Sequence, residues 1–193
     1  MAEYKLLTKD IGVEGLQTLP VYERRGGYQA LRTALRDRTP DEIVEQVKIS
    51  GLRGRGGAGF PTGTKWSFLP RDLFPRYLCI NADESEPGCF KDRYLIDENP
   101  HQLIEGIVIA AYALQVKHAF LYIRGEYHDQ RLLLERCVEE ARAAGYIGER
   151  ILVKTSCDQH KVEHDDPGDH RLCQMREQYP MESSCTQPDA QSN

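Results

Sequence analysis

No run of about eighteen apolar residues, the least a membrane-spanning helix needs, occurs in this sequence. A span of that kind is excluded. The opening MAEYKLLTKD has no basic start, apolar middle or small-residue cleavage site, so nothing in it reads as a secretory signal. The chain is therefore expected in the cytoplasm, where disulfides are rare. A basic excess is missing too: 25 Lys and Arg against 30 Asp and Glu leave a formal charge of -5, the wrong sign for a surface that binds phosphate backbones. Internal repeats are absent, which removes the solenoid classes. No C-x-x-C-x-x-C spacing is present to hold an iron–sulfur cluster.

What remains is the composition of one ordinary domain. With 193 residues, 40% hydrophobic and 28% charged, the chain can bury a core of its own. Its six cysteines fall into two groups: Cys79, Cys89 and Cys137 lie in apolar or mixed surroundings, and Cys157, Cys173 and Cys185 in a polar C-terminal stretch.

Local signals then alternate. RTPDEIVEQVKIS predicts a helix with Thr39 as N-cap, Pro40 at its first position, Glu42 closing a capping box and Gly51 ending it. RYLCIN at residues 76–81 is short, β-prone and apolar, as a buried strand is. A largely buried helix follows, with Asn99 as N-cap, Pro100 at N1, and Leu103, Ile104, Ile107, Val108, Ala111 and Leu114 covering most of its surface. HAFLYIRG from His118 is a second strand, DQRLLLERCVEEARAAG a further helix stopped by Gly145, and RILVK at residues 150–154 a third strand. Strands alternating with helices of this length imply right-handed crossovers and a parallel sheet. The class is α/β. From residue 155 onward the sequence has no sustained period and few aliphatic residues, too little apolar surface to offset the entropy of ordering. The expected division is an N-terminal segment (1–38), a nucleotide-binding domain (39–154) and a disordered tail (155–193).

Two stretches carry candidate chemistry. GLRGRGGAGFPTGTKW, residues 51–66, follows a helix end, and its backbone N–H groups can turn onto an anion as a phosphate loop does. It lacks the Gly-Lys-Ser/Thr ending of a Walker loop and fits G-x-G-x-x-G only loosely, through Gly54, Gly56 and Gly59. Spacing alone also allows a plain surface loop. An arginine–glycine RNA segment would need many copies and a basic chain. The second stretch, NADESEPGCFKDR, sets Asp83, Glu84 and Glu86 just beyond a strand's carboxyl end, where ligands of α/β sheets bind and where carboxylates can accept from ribose hydroxyls or a ring N–H. By composition it could equally be a solvated turn.

Taken together, GLRGRGGAGFPTGTKWSF, NADESEPGCFKDR, PHQLIEGIVIAAYAL and YIRGEY resemble the flavin-bearing, NADH-oxidising subunit family of respiratory complex I, the F-type subunits of NADH-quinone oxidoreductase, and its relatives in NAD-linked hydrogenases and formate dehydrogenases. The resemblance runs from about Tyr22 to Lys154. It implies a Rossmann-like parallel sheet with flanking helices that holds FMN at the sheet's carboxyl edge. Gly54, Arg55, Gly56 and Gly57 would then lie against the flavin with Lys65 reaching it, and Asn81 and Asp83 would hydrogen-bond it. Phe60 and Phe68 would stack around the nicotinamide nucleotide NAD, Glu86 would stand beside it, and Glu84 and Ser85 would line the same pocket. Hydride transfer between two planar rings asks for positioning rather than an activated nucleophile, so no catalytic side chain is assigned. The partners implied are NADH and other subunits of the peripheral arm of complex I, including the neighbouring [2Fe-2S] subunit, placing the chain peripherally at the inner membrane.

The resemblance ends where family members continue into a second glycine-rich loop and a four-cysteine [4Fe-4S] site. Those ligands are absent here. Cys157, His160, His164, His170 and Cys173 have spacings that match no standard zinc finger. The C-terminal stretch reads instead as a frame, splice or gene-model difference, and the chain as a truncated form of the enzyme subunit. The alternatives are a non-catalytic nucleotide-binding remnant and a soluble hydrogenase or formate dehydrogenase parent.

Overall fold

The computed structural model describes residues 5–55 and 57–148, and the backbone of residues 151–155. The expectation of a disordered tail, and the Cys and His candidates within it, lie outside the described residues. The elements in chain order are α1 (Leu19–Arg24), α2 (Gln29–Asp37), α3 (Pro40–Ile49), α4 (Thr62–Trp66), β1 (Tyr77–Ala82), α5 (Lys91–Glu98), α6 (Pro100–Ala113), β2 (His118–Ile123), α7 (His128–Ala143) and β3 (Ile151–Thr155).

The three strands form one parallel sheet in the order β1-β2-β3. Tyr77 pairs with His118 and Ala82 with Ile123, and beyond them Ala119 pairs with Ile151. This is the expected α/β architecture. Side chains alternate across the pleat. Leu78, Ile80, Ala82, Ala119, Leu121 and Ile123 therefore point together, onto Ile96 of α5, Leu103 and Ile107 of α6, and Leu134 of α7. Ile123 and Leu134 are wholly buried, each stabilising the fold by roughly 1.5–3 kcal/mol through transfer alone.

Helix α6 is apolar nearly all round because it has neighbours nearly all round. Ile107 faces the sheet, Ile104 faces α7 and the N-terminal segment, and Ile109 faces Ala34 and Ile43 of α2 and α3. Its start differs from the expectation. Pro100 is at N1, but Asn99 makes no side-chain cap to the backbone; its Nδ2 donates to the Gln102 side chain at 3.2 Å, and its buried Oδ1 has no partner among the described residues. At α3 the expectation holds in full. The Glu42 amide donates to Thr39 Oγ1 at 3.4 Å and the Thr39 amide to Glu42 Oε2 at 2.7 Å, while Gly51 takes φ +67°, a conformation that favours glycine.

The N-terminal segment, left without assigned structure by the sequence, is fastened to this core by buried polar groups. Glu105, 7% exposed in the middle of apolar α6, accepts from the Tyr22 hydroxyl at 2.5 Å and from the amides of Tyr28 (2.8 Å) and Leu31 (3.1 Å). Its carboxylate thus caps the first turn of α2 from a distant helix, which satisfies orphan N–H donors and opposes the helix dipole. Beside it, the fully buried His101 lies between the Tyr28 hydroxyl (3.1 Å) and Glu140 (3.3 Å). Burial pushes the His101 imidazole down despite the Glu140 carboxylate, and burial pushes the neighbouring Cys137 thiol up to about 12.

Candidate functional site

The glycine loop is held at its neck. After Gly51 the chain forms a short antiparallel bridge between Arg53 and Pro61, flanked by the Gly54 amide donating to the Phe60 carbonyl at 3.0 Å and the Thr62 amide to the Leu52 carbonyl at 2.8 Å. Arg53 also donates to the Gly59 carbonyl at 3.3 Å. The loop tip between these bonds is exposed, and a Cβ placed on Gly57 would meet nothing within 4 Å. Gly56 lies outside the described residues. Downstream, Gly63 is buried where α4 crosses α3: a Cβ there would fall 2.5 Å from the Lys48 backbone nitrogen. Only glycine permits that approach. Trp66 packs against the cluster of Ala34, Ile43 and Ala113, so α4 is pinned on both sides and the loop it carries has a fixed base.

Two cations stand on this base. Arg55 and Lys65 are exposed, and neither has an ion-pair partner among the described residues. Phe60 and Phe68 are 50% and 68% exposed with ring centroids 6.0 Å apart and planes tilted by 54°. Exposed aromatic rings at a loop base offer stacking area that the fold leaves uncovered.

At the carboxyl end of β1 the residues have separate occupations. Asn81 Oδ1 accepts from the Asp83 amide at 2.9 Å, and Asp83 Oδ1 accepts from the Ser85 hydroxyl at 2.8 Å. This Asx turn leaves the Asn81 Nδ2 group and one Asp83 oxygen facing outward, and uses the Ser85 hydroxyl internally. Glu84 turns the other way. It is 5% exposed and accepts from the amides of Asp92 (3.1 Å) and Arg93 (3.2 Å), with the Lys91 ammonium at 3.4 Å. Burial pushes its carboxyl up, but the two amides and Lys91 outweigh that and hold it below the ordinary carboxylate range. Glu84 therefore anchors the N-terminus of α5 rather than presenting itself to a ligand. Glu86 is exposed.

A lowered folded pKa stabilises above the unfolded value, and the contribution is lost as pH falls through the folded one. Glu84→Gln is thus expected to cost about 1–3 kcal/mol at pH 7. The difference from wild type should shrink below about pH 4, where the unfolded carboxyl also protonates. Urea unfolding at both pH values measures it; an equal cost at both would assign Glu84 no electrostatic role.

The register Ala82–Ile123 brings the end of β2 beside this turn. Arg124 donates to the Glu84 carbonyl at 2.7 Å and pairs with Glu126 at 2.9 Å, clamping the acidic loop from the neighbouring strand. Nothing in YIRGEY itself gives Arg124 this role; the signal is the parallel adjacency of the two strands. Among the described residues no hydrogen bond or ring contact joins the glycine loop to the acidic turn, and no three His, Cys, Asp or Glu side chains converge to hold a metal. A groove between α2 and α3, lined by Ala30, Thr33, Ala34, Ile43, Val47 and Ile109, contains none of the expected site residues. No helix of the described residues is long and apolar enough to cross a membrane.

Residues 47–185 match the family of the Nuo51 FMN-binding domain. The chain belongs to this family. The match takes in the glycine loop, the acidic turn and all three strands, and it continues past Lys154. The second F-type subunit of the NADH-quinone oxidoreductase of Rhizobium meliloti is 54% identical over 148 residues, covering 76% of this chain and 35% of the relative. The F-type subunit of the Escherichia coli NADH-quinone oxidoreductase is 48% identical over 136 residues, 69% of this chain and 31% of the relative. Among solved structures, the NAD+-reducing [NiFe]-hydrogenase in its air-oxidised state is 36% identical with a TM-score of 0.61, covering 79% of this chain and 25% of that one. This Nuo51-type chain spans about a third of the length of the curated relatives it matches.

Proposed function

We propose that this chain carries the flavin-side half of an NADH-oxidising site and works as part of a larger oxidoreductase assembly. The observation that supports it most is the pairing of two exposed cations, Arg55 and Lys65, unpaired among the described residues, with an open glycine loop inside the segment that matches an FMN-binding family. An anion is what such a loop accommodates, and a nucleotide phosphate is the anion that fits the family.

The residues present fit FMN in kind. Arg55 and Lys65 supply positive charge, and the bare backbone at Gly54 and Gly57 leaves room for a close approach. The Asx turn fixes which end of the Asn81 amide is offered, presenting Nδ2 as a donor. Asp83 and Glu86 accept from hydroxyl or ring N–H groups, and as carboxylates they disfavour prolonged residence of a polyanionic nucleotide. Phe60 and Phe68 give a surface on which a second planar ring can rest. In this reading Glu84, Ser85 and Arg124 position the turn. Bound FMN would supply the two-electron acceptor for a hydride from NADH; the chain's own part is to bind and orient both rings.

The names of the relatives suggest a subunit of a respiratory NADH-quinone oxidoreductase. The hydrogenase neighbours suggest the same half-reaction in another assembly. The clearest test loads the purified chain with FMN and adds NADH without oxygen. Bleaching of the oxidised-flavin band is expected; a bound flavin that NADH leaves oxidised would make the chain a non-catalytic nucleotide binder.

A further inference from the structure

Three tyrosine rings and one imidazole meet where the N-terminal segment lies on α6 and α7. Tyr22 is stacked on His101 with centroids 5.6 Å apart, Tyr28 stands edge-on to both, and Tyr146 stacks on Tyr28 at 4.0 Å. His101 and Glu105, one turn apart on α6, supply hydrogen bonds to this cluster. Neither is assigned to flavin or nucleotide. Around the rings, Leu16 and Leu31 of the N-terminal segment pack with Ile104 of α6 and with the wholly buried Cys137 of α7, whose thiol donates to the Gln17 carbonyl at 3.4 Å. Residues 16–34 thus form a strap across two helices.

The hydrogen bonds suit only a neutral imidazole. The Glu140 carboxylate, 3.3 Å from Nε2, selects the tautomer that carries its proton there, so Nδ1 is a bare acceptor and the Tyr28 hydroxyl donates to it at 3.1 Å. A second proton would occupy Nδ1 and reverse that bond. The hydroxyl hydrogen of Tyr28, a wholly buried residue, would then have no acceptor among the described residues. Nearby carboxylates are already engaged. Glu140 also takes the Leu19 amide at 2.9 Å and Arg136 at 3.8 Å. Glu105, on the same helix as the imidazole, takes Tyr22, Tyr28 and Leu31, and Glu23 of α1 takes Arg32 and the Tyr146 hydroxyl. Burial is the largest influence on the imidazole and holds it below its ordinary range, although Glu140 acts the other way.

We propose that His101 is a proton-operated latch for this strap: the strap is held while the imidazole is neutral, and proton uptake favours a locally opened state in which the sheet and its helices stay folded. The geometry supplies the release. Tyr28 precedes the first turn of α2 and is held at φ 59°, a conformation that relaxes once the contacts enforcing it are lost. Opening bares the Cys137 thiol. The imidazole of the opened strap titrates near 6.5 and that of the held strap lower, so the opened state binds more protons and the hold weakens as pH falls below about 6.5. One proton gives a slope of about tenfold per pH unit, which ends where the held imidazole itself protonates. The latch does not depend on the flavin site.

Native-state hydrogen exchange of the full chain, without FMN, at about pH 7.5 and about pH 5.5 tests it above the range where ordinary carboxylates titrate. Labelling times are scaled to the intrinsic rate at each pH. Protection of the strap amides, Tyr28 and Leu31 among them, should fall about threefold to tenfold at the lower pH, while the amides of β2 and the second half of α6 keep theirs. Reaction of Cys137 with a pyridyl disulfide, measured against the exposed Cys89 in the same sample, should rise by the same factor. In His101→Gln the side-chain amide can accept from Tyr28 and donate to Glu140 without titrating, and both pH effects should vanish. Strap protection that is equal at the two pH values, a loss shared equally by the strands, or a pH effect retained in His101→Gln would each overturn the proposal. If that variant does not fold, the two wild-type measurements still decide, since each must show the localised change.

Discussion

Replacing Glu105 with leucine is expected to lower the unfolding free energy by about 3–5 kcal/mol, a large share of what a domain of this size has. The side chain looks replaceable by position, since α6 is apolar beyond its first turn apart from this residue and leucine suits a helix. Its three donors are not. The Tyr22 hydroxyl and the Tyr28 and Leu31 amides would remain buried without an acceptor, at about 1–3 kcal/mol each before relaxation. Tyr28 is also held at φ 59°, a conformation that costs a non-glycine residue about 1–3 kcal/mol and persists where its surroundings enforce it. Glu105→Gln keeps one acceptor oxygen and should cost less. Urea denaturation followed by circular dichroism checks both variants; a loss below about 1 kcal/mol for the leucine variant would mean that the N-terminal segment is not fastened through this carboxylate.

The second large effect is expected at Gly63. Valine there would place Cβ 2.5 Å from the Lys48 nitrogen and 2.8 Å from its Cα, backbone atoms that cannot swing aside. Helix α4, which carries Lys65 and leads into Phe68, must then lift from α3, at about 1–3 kcal/mol of strain, and the loop bearing Arg55 and Phe60 loses its base. The core under the sheet does not depend on this contact, so the domain should stay folded while flavin affinity falls by at least about tenfold, equivalent to about 1.4 kcal/mol. Trp66, the chain's single tryptophan, sits in the displaced helix, and a red shift of its emission reports the movement. Unchanged emission and affinity would remove α4 from the site.

The parallel sheet is legible in the sequence because each of its strands and crossover helices carries its own signal: the apolar run at Leu78–Ile80, the breadth of apolar α6, the stop at Gly145. The capping box at Thr39 and Glu42 is readable for the same reason, since both partners lie within four residues. What stays hidden depends on distant chain. Helix α5 is polar and weakly amphipathic, and its start is fixed by Glu84, eight residues before the first amide it receives. The first turn of α2 is capped by Glu105 from 77 residues away. Glu84 shows the same limit from the functional side. Its place in an acidic run suggests a ligand group, whereas the fold turns it inward onto two helix amides and leaves Asn81, Asp83 and Glu86 outward. The glycine loop is visible as a pattern. Its fixed base is not, because Gly63 and Lys48 meet only when α4 folds back on α3.

The central claim is that the glycine loop and its two exposed cations bind a flavin phosphate. Titration of FMN fluorescence against the wild-type chain and an Arg55→Glu, Lys65→Glu variant tests it most directly. Both side chains are exposed, so the variant should fold as the wild type does. Saturable quenching is predicted for the wild type, weakened by salt as a charge interaction is, with affinity at least about tenfold lower in the variant. Equal binding by the two chains, or no saturable binding by the wild type, would contradict the account.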